Sequence, residues 1–288
     1  MDVSLERSFM RAHCRLTLAI AVAFAAGLAS APGAAEPEPR IENTQHTAAT
    51  LPQGRISLGI LREEVGLFDV LTVGTYLPPW LVFPLLGSPV PNAYVKARDA
   101  YFGPFAVAAR LAVVYLDAST LSSELIQSGT SSASITVIPF DGIFTLNVSE
   151  AFSQSLRLTY TGVAARGNAE ADARVAGALV TGALTAASYT EARVTRGFAL
   201  TLLARCLVAQ SGARISGTFV QEATVVEADL GARPKAGFVW SAIPGFALAS
   251  DSVRFELGLG YGTNWLPFVE LPAGDPTLAP NADFFVRF

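Results

Sequence analysis

The chain is poor in the side chains on which most enzymes depend. Its 288 residues include two histidines and two cysteines. His13 and His46 both lie ahead of the main body of the sequence. Hydrolases and acyltransferases that use a histidine as general base or acid therefore have none available there. A Cys/His metal cluster is excluded by count. Neither G-x-x-x-x-G-K-[ST] nor G-x-G-x-x-G occurs between a strand and a helix. No catalytic residue, metal ligand or cofactor is expected, and the chain is not read as an enzyme.

Charge is scarce too. Asp, Glu, Lys and Arg make up 15% of the chain, whereas soluble domains carry about 25%. Such a deficit points to a membrane. Yet no apolar run of the roughly 18–20 residues that a helix needs to cross a bilayer survives beyond residue 35. The segment 67–90 is broken by Asp69 and by Pro78-Pro79, and 105–116 is interrupted by Arg110. The remaining structure that satisfies its own backbone in lipid is a closed β-barrel.

Residues 1–35 read as a cleavable signal peptide. Arg7, Arg11 and Arg15 precede an apolar core from Leu16 to about Ala29, and small residues lead to a cut after Ala35. Without that segment the basic count falls from 20 to 17 and the acidic count from 24 to 22, a net charge of −5. Nucleic-acid binding, which needs a basic face, is not expected. One cysteine then remains, Cys206, so no internal disulfide can form. Residues 36–54, with EPEP, Asn43, Thr44 and Gln45, read as a flexible periplasmic tail. Residues 55–288 read as the barrel.

Period-two alternation, apolar outward and polar or small inward, recurs over 55–61, 105–116, 144–148, 155–161, 198–208 and 252–262. Arg110, Arg157, Arg205, Arg254 and Arg287 each fall on the less apolar register of their strand. An arginine facing lipid at mid-depth costs about 2–4 kcal/mol, so these guanidinium groups are expected inside. The inward register is otherwise rich in Gly and Ala, which suits a narrow lumen. Arg98, Arg110, Arg157, Arg205, Arg254 and Glu256 are the lumen-facing candidates. Glu256 with Arg254, and Glu191 with Arg193, sit two apart on one face and are expected to pair. Arg254→Ala is expected to be milder than Leu257→Arg. Gly258, Gly260 and Gly262 are expected to let neighbouring strands approach. Tyr76, Trp80, Tyr94, Tyr101, Phe102, Tyr115, Phe140, Tyr160, Trp240, Tyr261 and Trp265 fall near strand ends, where an interfacial aromatic girdle, or the ordinary enrichment of aromatics in strands, would place them.

Tight turns are expected at Gly103-Pro104, 150–153 and Arg196-Gly197, facing the periplasm. Longer outward loops are expected at 78–91, 117–131 and 263–280. Residues 168–187 fit either a strand pair or an alanine-rich helix. The fold class is an all-β, antiparallel, up-and-down transmembrane barrel of about 12 strands, with 10 or 14 as alternatives.

The last residues sharpen this. Ala282, Phe284, Val286 and Phe288 alternate with Asp283, Phe285 and Arg287. Phe284, Val286 and Phe288 resemble the C-terminal insertion signal of bacterial outer-membrane β-barrels. Val73-Gly74-Thr75 followed by a Pro-rich loop and 92–98 resembles the opening hairpin of uncharacterised barrels of that kind. The resemblance implies export through the general secretory pathway to the outer membrane of a two-membrane bacterium. It implies contact with the barrel-assembly machinery, with outer-membrane lipids and with lipopolysaccharide. The expected function is a small porin-like passive channel for small solutes, with mild anion preference from its arginines. The alternative is a plugged structural or adhesion barrel whose loops at 78–91 and 263–280 bind partners.

Overall fold

The computed structural model describes residues 43–82, 90–98, 102–117, 130–170, 174–221, 224–232, 239–266 and 269–288. The signal-peptide assignment and residues 36–42 lie outside them. Alternation drives the chain into fourteen strand segments: β1 (Ile56–Gly59), β2 (Arg62–Leu67), β3 (Leu71–Tyr76), β4 (Asn92–Arg98), β5 (Phe105–Asp117), β6 (Thr130–Ser149), β7 (Phe152–Glu170), β8 (Arg174–Thr195), β9 (Phe198–Gln210), β10 (Ala213–Gln221), β11 (Thr224–Ala232), β12 (Trp240–Ala249), β13 (Val253–Leu266) and β14 (Leu271–Arg287). A six-residue helix, α1 (Leu77–Val82), follows β3. No described helix is long and apolar enough to cross a membrane.

Every pairing is antiparallel. The sheet closes because β1 pairs β14 and β8 pairs β9. β8 is long enough to pair β9 along one part and β10 along the other. β9 and β10 are thus one interrupted stave, and β11 and β12 another, pairing β10 and β9 in turn. Fourteen segments, less these two interruptions, make a ring of twelve staves. Full closure leaves no edge running the length of the sheet, the condition for exposing strands to lipid.

The two faces are inverted relative to a soluble protein. On β5, Ala106, Ala108, Arg110, Ala112 and Val114 are buried, while Leu111, Val113 and Tyr115 are 44%, 43% and 40% exposed. On β13, Arg254 and Glu256 are buried, while Leu257, Leu259 and Tyr261 face outward. Large apolar side chains cover the outside, and charge lies within. Water is a poor solvent for such an exterior, and the molecule is a transmembrane β-barrel.

Several details depart from the sequence expectations. Residues 174–187, left open between helix and strand, are strand, and 56–59 is strand as its alternation predicted. The expected loop at 263–280 is mostly strand: β13 runs to Leu266 and β14 starts at Leu271. Pro272, Pro276 and Pro280 made this stretch look irregular. The backbone of Phe284 faces β1, since Ile60 N–H donates to its carbonyl at 2.9 Å. Pro280 lies four residues away in the same register. β1 pairs only as far as Phe285, so Pro280 lies on the stretch of β14 that has no described partner on this side. There a missing N–H leaves no ladder bond unmade. Tyr76, Tyr94 and Trp265, placed by sequence in the aromatic girdle, are instead buried, at 3%, 3% and 8% exposed, and the Tyr76 and Tyr94 ring centroids lie 4.9 Å apart. The glycines of β13 do permit close approach: a Cβ on Gly260 would sit 1.9 Å from the Ala242 carbonyl oxygen of β12.

Candidate functional site

The lumen is occupied. Residues 43–51, expected as a flexible tail, lie inside the ring, every one of them under 9% exposed. The correction has a physical cause. The segment is polar but nearly uncharged, so it gains little from a core of its own, and a polar lumen offers it partners. Asn43 starts a compact turn: its carbonyl accepts the N–H of His46 at 3.2 Å and of Thr47 at 3.1 Å. Its side-chain oxygen accepts the N–H of Gln45 at 3.0 Å, an Asx turn. Lys96 of β4 closes the turn's other end, donating to the carbonyls of Thr44, Thr47 and Ala49 at 2.7, 2.6 and 2.5 Å. An ammonium with three donors is matched to three carbonyls there.

Contacts to the wall surround this plug. Asn43 donates to Glu256 of β13, and Thr44 to Glu64 of β2. Arg62 donates to the Gln45 side chain at 2.7 Å. Ala48 N–H donates to Thr145 of β6 at 2.7 Å, and Leu51 N–H to Thr72 of β3 at 2.8 Å. The His46 ring stacks on Tyr189 of β8 at 4.9 Å. Gly66 of β2 makes room for the plug's exit, since a Cβ there would lie 2.1 Å from the Pro52 carbonyl oxygen. Gly54, at φ +75, then turns the chain into β1.

Among the described residues six buried cations, Arg62, Lys96, Arg110, Arg157, Arg205 and Arg254, face six buried anions, Glu64, Asp141, Glu191, Glu256, Glu270 and Asp283. Arg62 bridges Glu64 at 3.3 Å and Asp283 at 2.9 Å. Arg110 meets Asp141 at 2.5 Å. Arg254 meets Glu191 at 2.8 Å and Glu256 at 3.2 Å, and Tyr189 donates to Glu256 at 2.9 Å. Arg193 meets Glu191 at 3.1 Å. Both side-chain pairs expected from two-residue spacing therefore form. Arg157 and Arg205 share a single carboxylate, Glu270, at 2.7 and 3.7 Å. The five arginines each have a carboxylate in reach, and Lys96 is held by three carbonyls, the pairing and hydrogen bonding that burial demands.

Of the sequence-derived lumen candidates, Arg110, Arg157, Arg205, Arg254 and Glu256 are placed inside and drawn into this network. Arg98 sits at the turn end, donating to the Asp69 carbonyl at 3.2 Å. Phe284 and Phe288 face outward, 36% and 63% exposed, with Val286 half-buried on the same register. The expected anion preference is not supported by the described lumen: its arginines are matched by carboxylates, and a plug lies among them. The sequence reading missed Arg62, Lys96, Asp141, Glu270 and Asp283, and it placed His46 outside the barrel. Asp283 was the most accessible of these, since it shares the inward register of Phe285 in the terminal alternation.

His46 is the plug's one titratable group. Burial pushes its pKa well below the usual imidazole range, and Arg157, Arg205, Arg62 and Arg110 push it further the same way. It is therefore neutral at pH 7.

No protein-family model matches the chain, and no curated protein is detectably similar in sequence. Three solved structures share some of its shape. The Pseudomonas putida toluene transporter TodX is 10% identical, over 88% of this chain and 94% of that one, at a TM-score of 0.48. The CymD monoaromatic hydrocarbon channel is 9% identical, over 82% and 87%, at 0.34. CdiB from Escherichia coli is 9% identical, over 83% and 64%, at 0.24.

Proposed function

We propose that this chain is an outer-membrane barrel that conducts small solutes when the 43–51 segment leaves the lumen, and is closed at rest. One observation carries the proposal. The ring of twelve staves closes through β1–β14 and β8–β9 without any strand pairing to the plug. Removing the plug breaks no ladder. It exchanges side-chain hydrogen bonds for water, each worth about 0.5–1.5 kcal/mol net, or about 1.5–3 where a charged group takes part. A wall that is complete without its contents is suited to a channel. The loop-display alternative is weakened, because the 263–280 loop on which it partly rested is mostly strand.

In this reading the short connections 68–70, 150–151 and 196–197 face the periplasm. The outward apolar band meets outer-membrane lipid and lipopolysaccharide. Phe284, Val286 and Phe288 present the signal for the barrel-assembly machinery. Conductance in planar bilayers tests the function. Full-length mature protein should show rare, brief openings, and a variant lacking residues 43–51 should conduct steadily. A folded, plug-deleted barrel that stays silent would refute the channel.

A further inference from the structure

The charges inside the barrel are balanced in total but not locally. Arg62 and Arg254 each contact two carboxylates. Arg157 and Arg205 divide one between them, Glu270. Among the described residues Arg205 reaches no other anion, and its contact with Glu270 is long, at 3.7 Å. Its Nε–H has no acceptor, and neither has the Nε–H of Arg157, whose other groups reach Glu270 and the Gln45 carbonyl of the plug at 3.2 Å. Both side chains are more than nine-tenths buried. A buried guanidinium with unspent donors is a carboxylate or phosphate receptor that is incompletely filled.

Glu270 enters this site from the β13–β14 connection, not from a stave. Its backbone is left-handed, at φ 51, a conformation that strains a residue bearing a side chain. The turn is held by its N–H donating to the Leu266 carbonyl at 2.8 Å and by Thr161 donating to the Val269 carbonyl at 2.8 Å. Apolar side chains flank the charge. Val269 packs with Val90 and Val114, and Leu271 lies against that cluster. Leu203, on the same inward register as Arg205, packs with Tyr189 and Ile243.

We infer that Arg157 and Arg205 form a binding station for the carboxylate of a small monocarboxylate with an apolar body, and that Glu270 occupies that station in the solute's absence. The inference rests on the proposed solute passage and names its substrate class. Two guanidinium groups fit a carboxylate with charge-assisted hydrogen bonds. The apolar clusters on either side accept a ring or short chain. Glu270 competes for the same donors, so apparent affinity is reduced by the fraction of time it stays bound.

The test is calorimetric titration of benzoate into detergent-solubilised full-length mature protein, with benzyl alcohol and inorganic phosphate as comparison probes. Heat-modifiable gel migration checks that each variant is folded. Glu270→Gln should tighten benzoate binding by about tenfold or more, because the internal competitor is gone. Arg205→Gln, which loses only one long contact, should fold and abolish binding, alone or combined with Glu270→Gln. Benzyl alcohol should not bind. Benzoate affinity that is unchanged or weaker in Glu270→Gln overturns the proposal. Equal binding of benzyl alcohol overturns the carboxylate's role, and phosphate binding as tightly as benzoate overturns that of the apolar walls. The binding measurement needs no passage. A channel that fails in bilayers while benzoate still binds would sink the transport reading and leave the station standing.

Discussion

The outer and inner faces of β13 are built from the same fourteen residues and obey opposite rules. Outward, Val253, Leu257, Leu259 and Tyr261 are 36%, 42%, 59% and 55% exposed. They touch little protein, and lipid is what makes them favourable. Inward, Arg254 and Glu256 are each 1% exposed and are held by Tyr189, Glu191 and Asn43 across the lumen. An outward residue is therefore judged by its solvent and an inward one by its partners. A single substitution breaks one rule without touching the other.

The largest effect is expected inside. Arg254→Ala strands Glu256 without its guanidinium and leaves Glu191 with Arg193 alone, and breaking a buried pair costs about 3–5 kcal/mol. The alternation register alone made this change look mild. The network reverses that, and urea unfolding of liposome-folded protein should show Arg254→Ala losing at least as much stability as any lipid-face change. Leu257→Arg comes next. It puts a cation into lipid at about 2–4 kcal/mol, read in the same assay or as failed insertion.

A smaller effect is expected at the plug. His46 has a depressed pKa in the folded state, so its neutral form favours the seated plug. That contribution is fully present above about pH 6.5, the ordinary imidazole value. It is lost as pH falls from there toward the lowered folded value. Open probability in bilayers should rise by up to about tenfold per pH unit below pH 6.5, and His46→Gln should flatten that dependence. A pH response unchanged in His46→Gln would separate the histidine from plug seating. The smallest effect is expected at Arg193, whose side chain is 24% exposed in its bridge to Glu191. Its removal should cost under about 1 kcal/mol.

The sequence disclosed the wall better than the contents. Alternation on β5, β9 and β13, with Arg110, Arg205 and Arg254 in the polar register, was legible because the cost of charge in lipid is local and repeats every second residue. The plug was not. Asn43 meets Glu256 across 213 residues of sequence, and nothing near Asn43 announces that partner. A polar segment with no core of its own has the composition of a disordered tail, and only the closed ring turns it into a structured one. The stretch around Pro276 failed for a related reason. Proline weakens a paired strand, but Pro280 lies where β14 has no described partner on its β1 side.

The most direct test of the two-faced wall is a spin-label scan along β13 in a Cys206→Ser background in lipid vesicles. Labels at 253, 257, 259 and 261 should be accessible to oxygen dissolved in the bilayer and shielded from a water-soluble nickel chelate. Labels at 254, 256 and 258, which face the filled lumen, should be shielded from that oxygen. Accessibility to the chelate at every position, with no period of two, would contradict the barrel and with it the lumen, the plug and the carboxylate station.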